Sequence, residues 1–380
     1  MDNYFVSSCK RVKDWICRQF EQKEKKTIHH KKLADGGEVI VWETGRAGEE
    51  AALYENLFLR KEIAGFRTNI RREQSCSIKS LTRDYLYEQL LSSGEYTFDH
   101  MLVVKNPYGE APLTALALFT LKEPAGIRVT TKGNLKETDF VTELPKKKEH
   151  RVPILGMYAE KANTIIIEIL DDEGNCVKSH TFTIRTKKLP KSLRNVITVK
   201  KRTDKPAFSN IMISGGVNIH TCVFDTEGEI RYYLSRKPRG YGIFPLSEGH
   251  FFYMEKHISV PSYSNPQTVE SYDMDYFGRV FRTYLTEKGV HHTAEEKAGG
   301  NILTGSNSML EHTEDCVIEI DRQTGEIVWQ LNMAELFDET YQNMMDWCHV
   351  NSAAYYEQDR TILISLRNVH AVICVDYDTK

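Results

Sequence analysis

Polar and apolar positions change their rhythm twice along the chain. Residues 10–32 are dense in Lys, Arg, Glu and Gln with Trp15, Ile16 and Phe20 interspersed, which predicts an amphipathic helix with a solvated polar face. Residues 47–62 carry Ala51, Leu53, Leu57 and Leu59 among helix formers, after the turn-like Thr44-Gly45-Arg46-Ala47-Gly48, and predict a second helix. Residues 1–70 therefore read as a helical N-terminal extension. From Tyr96 the texture becomes short segments of Val, Ile, Thr, Tyr and Phe, at 100–105, 114–121, 126–131, 164–170 and 180–186. Asn106-Pro107-Tyr108-Gly109 and Asp171-Asp172-Glu173-Gly174-Asn175 separate them as turns. Several short strands with no helical rhythm between them predict a small β-sandwich over residues 71–190. Leu189-Pro190 and Lys200-Lys201-Arg202 mark the way out of it.

Beyond Pro206 one unit is written three times: Cys222-Val-Phe-Asp225-Thr-Glu-Gly228-Glu-Ile230, Tyr272-Asp-Met-Asp275-Tyr-Phe-Gly278-Arg-Val280, and Ile318-Glu-Ile-Asp321-Arg-Gln-Thr-Gly325-Glu-Ile-Val-Trp329. A fourth begins at Val372-Ile-Cys-Val-Asp376. Each is an apolar strand, an Asp-to-Gly turn in which glycine supplies φ > 0, and a second apolar strand, so each predicts a β-hairpin. A spacing of about 50 residues between such units, without helices, points to a β-propeller with one blade per repeat. Residues 191–380 then hold about three and a half blades, an incomplete ring whose open edges call for further sequence or a complementing fragment. The fold class expected is mainly β: helical extension, β-sandwich, partial propeller.

Composition narrows the partners. The 380 residues include 50 Lys+Arg against 53 Asp+Glu, a net charge of -3 that removes the electrostatic pull nucleic-acid binding relies on. No apolar run is long enough for a membrane span and no leader is legible at the start, so a cytoplasmic protein is expected. The eight cysteines are scattered singly with no C-x-x-C pair, and read as reduced, small buried hydrophobes.

Chemistry concentrates near the C-terminal end. Asp346-Trp347-Cys348-His349-Val350-Asn351-Ser352 opens a blade, and on a strand His349 and Asn351 would share a face. Arg367 ends the next strand, and His291-His292 precede the Gly299-Gly300-Asn301 turn one blade earlier. Singly, a strand-edge histidine is an ordinary hydrogen-bonding residue, Arg367 a surface cation and Asn351 a turn former. Together, imidazole, amide and guanidinium aimed at one channel are what an oxyanion such as sulfate or phosphate requires.

These residues carry a resemblance. The 346–352 segment, with Asp359-Arg-Thr-Ile-Leu-Ile-Ser-Leu-Arg367 and Ala371-Val-Ile-Cys-Val-Asp376, resembles the D-W-x-H-x-N-S … D-x-I-[IL]-[IV]-S-x-R … A-V-x-x-[IV]-D stretch of the bacterial aryl-sulfate sulfotransferases that do not use phosphoadenosine phosphosulfate. Asn106-Pro-Tyr-Gly-Glu-Ala-Pro-Leu-Thr-Ala-Leu116, His150-Arg-Val-Pro-Ile-Leu-Gly-Met-Tyr158 and Thr186-Lys-Lys-Leu-Pro190 are similar to the Ig-like sandwich that precedes the propeller in that family. His291-His292 with Gly300-Asn301-Ile-Leu303 resembles its H-H-D … N-G-N-x-L element, with Thr293 where an acid is usual.

The resemblance covers roughly residues 70–380 and implies a six-bladed propeller that transfers a sulfuryl group from a phenolic sulfate ester to a phenol acceptor, by a ping-pong route through a sulfated histidine. On that pattern His349, Arg367 and His292 are catalytic, and Asn351 and His291 bind substrate, the adjacent histidines leaving their register open. The family's sulfated histidine lies downstream of the segment matching Arg367, so the expectation is a chain that bears the substrate-binding half of the site and lacks the nucleophile. No P-loop or strand-linked G-x-G-x-x-G occurs, so no nucleotide cofactor is expected, and common metal-site spacings are missing. A non-catalytic propeller module, an inactive fragment and a hydrolase with water as acceptor are the alternatives. Expected partners are the ester donor and phenol acceptor, with neither nucleic acid nor membrane, and a homo-oligomer or a complementing C-terminal fragment as protein partner.

Overall fold

The computed structural model describes residues 28–34, 36–43, 75–200, 210–213, 220–236, 242–258, 267–308 and 312–380. Among these, one compact unit comprises residues 28–43 and 84–188, and the other 75–83 and 189–380.

The first unit contains β1 (Ile28–Lys32), β2 (Glu38–Glu43), β3 (His100–Lys105), β4 (Ala115–Thr131), β5 (Phe140–Ile154), β6 (Ala162–Leu170) and β7 (Cys176–Arg185), with helix α1 (Ser75–Ser92) divided between the units. The strands form one sheet in the order β1-β2-β3-β4-β6-β7, with β5 also on β4. Strand β4 folds this sheet over. It pairs β3 through Ala115–Leu118 and β6 through Gly126–Thr131, with register shifts between Thr120 and Ile127 where Pro124 interrupts it. A bulged strand that changes neighbours in this way makes the corner between two layers. Phe119, Ile127, Val152, Ile154, Ile165 and Ile167 are fully buried in the resulting core.

Residues 28–43 correct the helical reading of the N-terminal extension. Ile28–Lys32 is a strand, antiparallel to β2, and β2 in turn lies parallel to β3. The β-branched run Val39-Ile-Val41 is buried with Trp42, and partners more than 50 residues away override the helix formers upstream. Residues 1–27 and the helix expected over 47–62 lie outside the described residues.

The second unit consists of antiparallel meanders in chain order. The first holds β8 (Asn210–Ile213), β9 (Cys222–Asp225) and β10 (Ile230–Tyr233). A seven-stranded sheet follows: β11 (Ile243–Pro245), β12 (His250–Ile258), β13 (Gln267–Asp275), β14 (Val280–Glu296), β15 (Ile302–Ser306), β16 (Cys316–Ile320) and β17 (Ile327–Asn332). The last has β18 (Val350–Tyr356), β19 (Thr361–Leu366) and β20 (Ala371–Asp376).

The repeated Asp-to-Gly turns are the hairpins β9–β10, β13–β14 and β16–β17, and their chemistry is local. Asp225 Oδ1 accepts the backbone N–H of Glu227 and Glu229, Asp275 Oδ1 that of Phe277 and Arg279, and Asp321 Oδ1 that of Gln323 and Thr324. Gly228, Gly278 and Gly325 close these turns at φ of 80°, 76° and 79°. The meander order agrees with successive blades.

Strand β14 positions the site. It pairs β13 up to Val290 and β15 from Val290 onward, and an irregularity between His291 and Ala294 marks the change of partner. Leu303, Val317, Leu331, Trp347, Val350, Ile362, Ile364 and Leu366 bury a shared core between β15–β17 and β18–β20. That core holds the segment before β18 against the end of β15.

Candidate active site

Irregular backbone gathers the histidines. His292 sits in the β14 irregularity at φ 55°, Glu314 in the β15–β16 connection at φ 54°, and His349 just before β18 at φ 52°. Left-handed backbone costs a non-glycine residue on the order of 1 kcal/mol, and its concentration at one place is a mark of functional sites. Hydrogen bonds tie the Glu314 and His349 segments to each other and to the end of β19: Val350 N–H donates to Glu314 O at 2.7 Å, Arg367 N–H to His349 O at 3.1 Å, and Asn368 Nδ2 to Asp346 O at 2.6 Å.

Side chains then converge on Glu314, whose carboxylate has no exposed surface. Its Oε2 lies 3.1 Å from His292 Nε2 and 2.8 Å from His349 Nδ1. His349 Nδ1 also meets Asp346 Oδ2 at 2.7 Å, and the rings of His292 and His349 are 4.8 Å apart. On its other edge, His349 Nε2 lies 3.3 Å from Arg367 Nη1.

The charges follow from these contacts. Hydrogen bonds to Asp346 and Glu314 outweigh burial and raise His349 to about 9, so it is an imidazolium at neutral pH. Burial alone would raise the Glu314 carboxyl, but the bonds from His292 and His349 hold it well below the usual carboxylate range. His291 is pushed down to about 4 by burial and is neutral. With both ring nitrogens of His349 protonated, Nε2–H and the Arg367 guanidinium are two donors side by side. Neither can accept from the other, so the pair offers its hydrogens to an acceptor such as an anion oxygen. Arg367 is exposed and forms no ion pair among the described residues, leaving its charge uncompensated.

Two family models match the sequence: Arylsulfotransferase (ASST) over residues 193–380 and Arylsulfotransferase Ig-like domain over 102–187. The chain belongs to the arylsulfotransferase family. Both matches fall in the expected order, sandwich before repeats. No curated protein matches the sequence. Among solved structures it is similar to an auxiliary nutrient binding protein from Bacteroides thetaiotaomicron, at 14% identity and a TM-score of 0.29 over 70% of this chain. The chain spans 64% of that protein's length.

In this member of the family the expected residues divide. His349, Arg367 and His292 come together. His291 lies behind them, fully buried, its Nε2 donating to Ser306 O at 2.8 Å. Of the adjacent pair, the half-buried His292 is the one that contacts Glu314. Asn351 is half-buried, and its side chain has no hydrogen-bond partner among the described residues. It does not share a face with His349 by strand alternation, because His349 precedes β18 in a left-handed conformation and the register shifts between Val350 and Ser352.

Glu314 and Asp346 were missed as site residues. Asp346 had one signal, its place three residues before His349; Glu314, 35 residues before it, had none.

His291, His292 and Glu314, and likewise Glu314, Asp346 and His349, have the residue types and proximity a cation would need. The contacts of His292 and His349 with the two carboxylates, 2.7–3.1 Å, have hydrogen-bond length, and the adjacent guanidinium favours an anion on this side.

Gly305, opposite His291 in the β14–β15 ladder, makes room for its ring: a Cβ there would lie 2.6 Å from His291 Cε1. Gly305→Ala is expected to destabilise the protein by about 1–3 kcal/mol, measured by urea denaturation. An unchanged midpoint would show that the ring can move aside at no cost.

Proposed function

We propose that this arylsulfotransferase-family protein binds a phenolic sulfate ester with its sulfuryl group between His349 Nε2 and Arg367, and serves transfer of that group to a phenol acceptor. The observation that carries the reading is the pair of adjacent donors, 3.3 Å apart, with two carboxylates behind the imidazolium. Sulfuryl transfer resembles phosphoryl transfer in passing through a loose state, with charge on the equatorial and leaving oxygens, where fixed cations and a proton donor lower the barrier.

As the sulfuryl group forms its new bond to a nucleophile outside this cluster, the S–O bond to the donor phenol breaks, its electron pair stays on the phenolate oxygen and His349 Nε2 supplies the proton. An imidazolium near 9 is well matched to a phenol of about 10, so the proton moves with little energetic mismatch. The neutral imidazole can then take the proton of the acceptor phenol in the return step. Asn351 supplies an amide to the same region.

A sulfated histidine between the two half-reactions would divide one displacement into two. In this reading it is not one of the cluster histidines: His349 has no lone pair when protonated, His291 is enclosed, and His292 is committed through Nε2 to Glu314. The purified chain is therefore expected to bind p-nitrophenyl sulfate, measured by calorimetry, without releasing p-nitrophenol and without gaining about 80 Da, the mass of SO₃. No binding would refute the sulfuryl site. An adduct mapped to His292 would make that residue the carrier instead.

A further inference from the structure

We infer that Glu314 is a positioning residue that couples His292 and His349, its single oxygen Oε2 fixing which nitrogen of each ring carries a proton and holding His349 charged. The inference rests on the sulfuryl-binding reading only for its purpose, since the coupling is a property of the protein without substrate.

Three observations carry it. One oxygen receives both rings, at 3.1 Å from His292 Nε2 and 2.8 Å from His349 Nδ1, although the two histidines come from β14 and from the segment before β18. The carboxylate is fully buried, so its charge acts on the two rings with little screening by water. Its own position is held by backbone: Glu314 N–H donates to Asn307 Oδ1 at 2.7 Å, and Glu314 O accepts from Val350 N–H. An acceptor-only group at this point demands N–H from both partners. His292 is thereby protonated at Nε2, and His349 presents Nε2–H towards Arg367.

Among the described residues, the groups in contact with His349 are His292 from β14, Glu314 from the β15–β16 connection, Asp346 from the segment before β18, and Arg367 after β19, with buried His291 behind them. Asp315, next to Glu314, is engaged by Ser308. Glu314 and Asp346 are the negative charges in contact with His349 Nδ1 among the described residues. Arg367 opposes protonation from the other edge, so loss of Glu314 leaves Asp346 alone to favour the charged ring against it.

The test is a nitrogen-15 NMR titration of the histidines in the full 380-residue chain. In the unaltered protein at pH 7.5, His349 is expected to be protonated on both nitrogens and His292 on Nε2. In Glu314→Gln, which keeps the shape and removes the charge, the His349 midpoint is expected to fall by at least one pH unit. Glu314→Asp, which keeps the charge, should lower it less. An unmoved His349 midpoint in folded Glu314→Gln, or equal shifts for Gln and Asp, would overturn the coupling. Should Glu314→Gln fail to fold, His292 protonated only at Nδ1 in the unaltered chain would overturn it alone. Calorimetry with p-nitrophenyl sulfate on the same samples separates the two ideas: normal histidine coupling without ester binding would sink the function and leave Glu314's role standing.

Discussion

Arg367→Ala is expected to weaken p-nitrophenyl sulfate binding about 10²-fold while leaving the fold intact. Removing one preorganised donor from an oxyanion site has this order of effect, and the guanidinium is the more exposed half of the donor pair. Stability should change by no more than about 0.5 kcal/mol, because the side chain is exposed and makes no ion pair among the described residues. Arg367→Lys should recover little, since a planar fork able to hold two sulfuryl oxygens becomes a point charge. Calorimetric titration at fixed ionic strength is the measurement, because part of the attraction is screened by salt. An unchanged dissociation constant in a folded variant would remove Arg367 from the site.

His349→Ala is expected to cost both binding and stability, the second by about 3 kcal/mol. The substitution removes the imidazolium that contacts Glu314 and Asp346, and Glu314 has no exposed surface over which water could compensate. Linkage gives the same magnitude. His349 titrates near 9 when folded against an ordinary 6.5, so its charged form contributes about 3 kcal/mol below roughly pH 6.5. That contribution declines as the pH rises and is lost through pH 9, because the folded value is the raised one. Urea denaturation at pH 6, 8 and 10 should therefore show the gap between the native protein and His349→Ala closing with rising pH. Ester binding should fall over the same range as the Nε2 proton is lost. A gap that stays constant from pH 6 to pH 10 would mean that His349 is neutral throughout.

Much of the architecture was legible because its causes are local. An Asp whose side chain closes the turn two to four residues on, followed by a glycine at positive φ, makes a hairpin wherever it stands, so Asp225, Asp275 and Asp321 announced β9–β10, β13–β14 and β16–β17. The segments 100–105, 126–131 and 164–170 are strands or parts of strands for a related reason, their β-branched and aromatic residues fitting a half-buried pleated surface. His292, His349 and Arg367 lie in motifs legible in the sequence, and the structure places them together.

Other features depend on what is distant in sequence. Ile28–Lys32 and Glu38–Glu43 are strands because β3 lies beside β2, a partner that the local order does not record. His349 and Asn351 were paired by strand alternation, but a left-handed residue breaks that period and only the folded backbone shows it.

The sequence by itself determined the hairpin repeat, the sandwich strands, the family and the motifs that carry His292, His349 and Arg367. Tertiary structure alone decided which of His291 and His292 is enclosed, that Glu314 meets two histidines from different meanders, and that His349 is charged. The division has one physical cause. Turn chemistry and side-chain alternation act over a few residues and are written in the local order, whereas burial, carboxylate contact and protonation state depend on which segments the packed sheets bring within about 3 Å of one another.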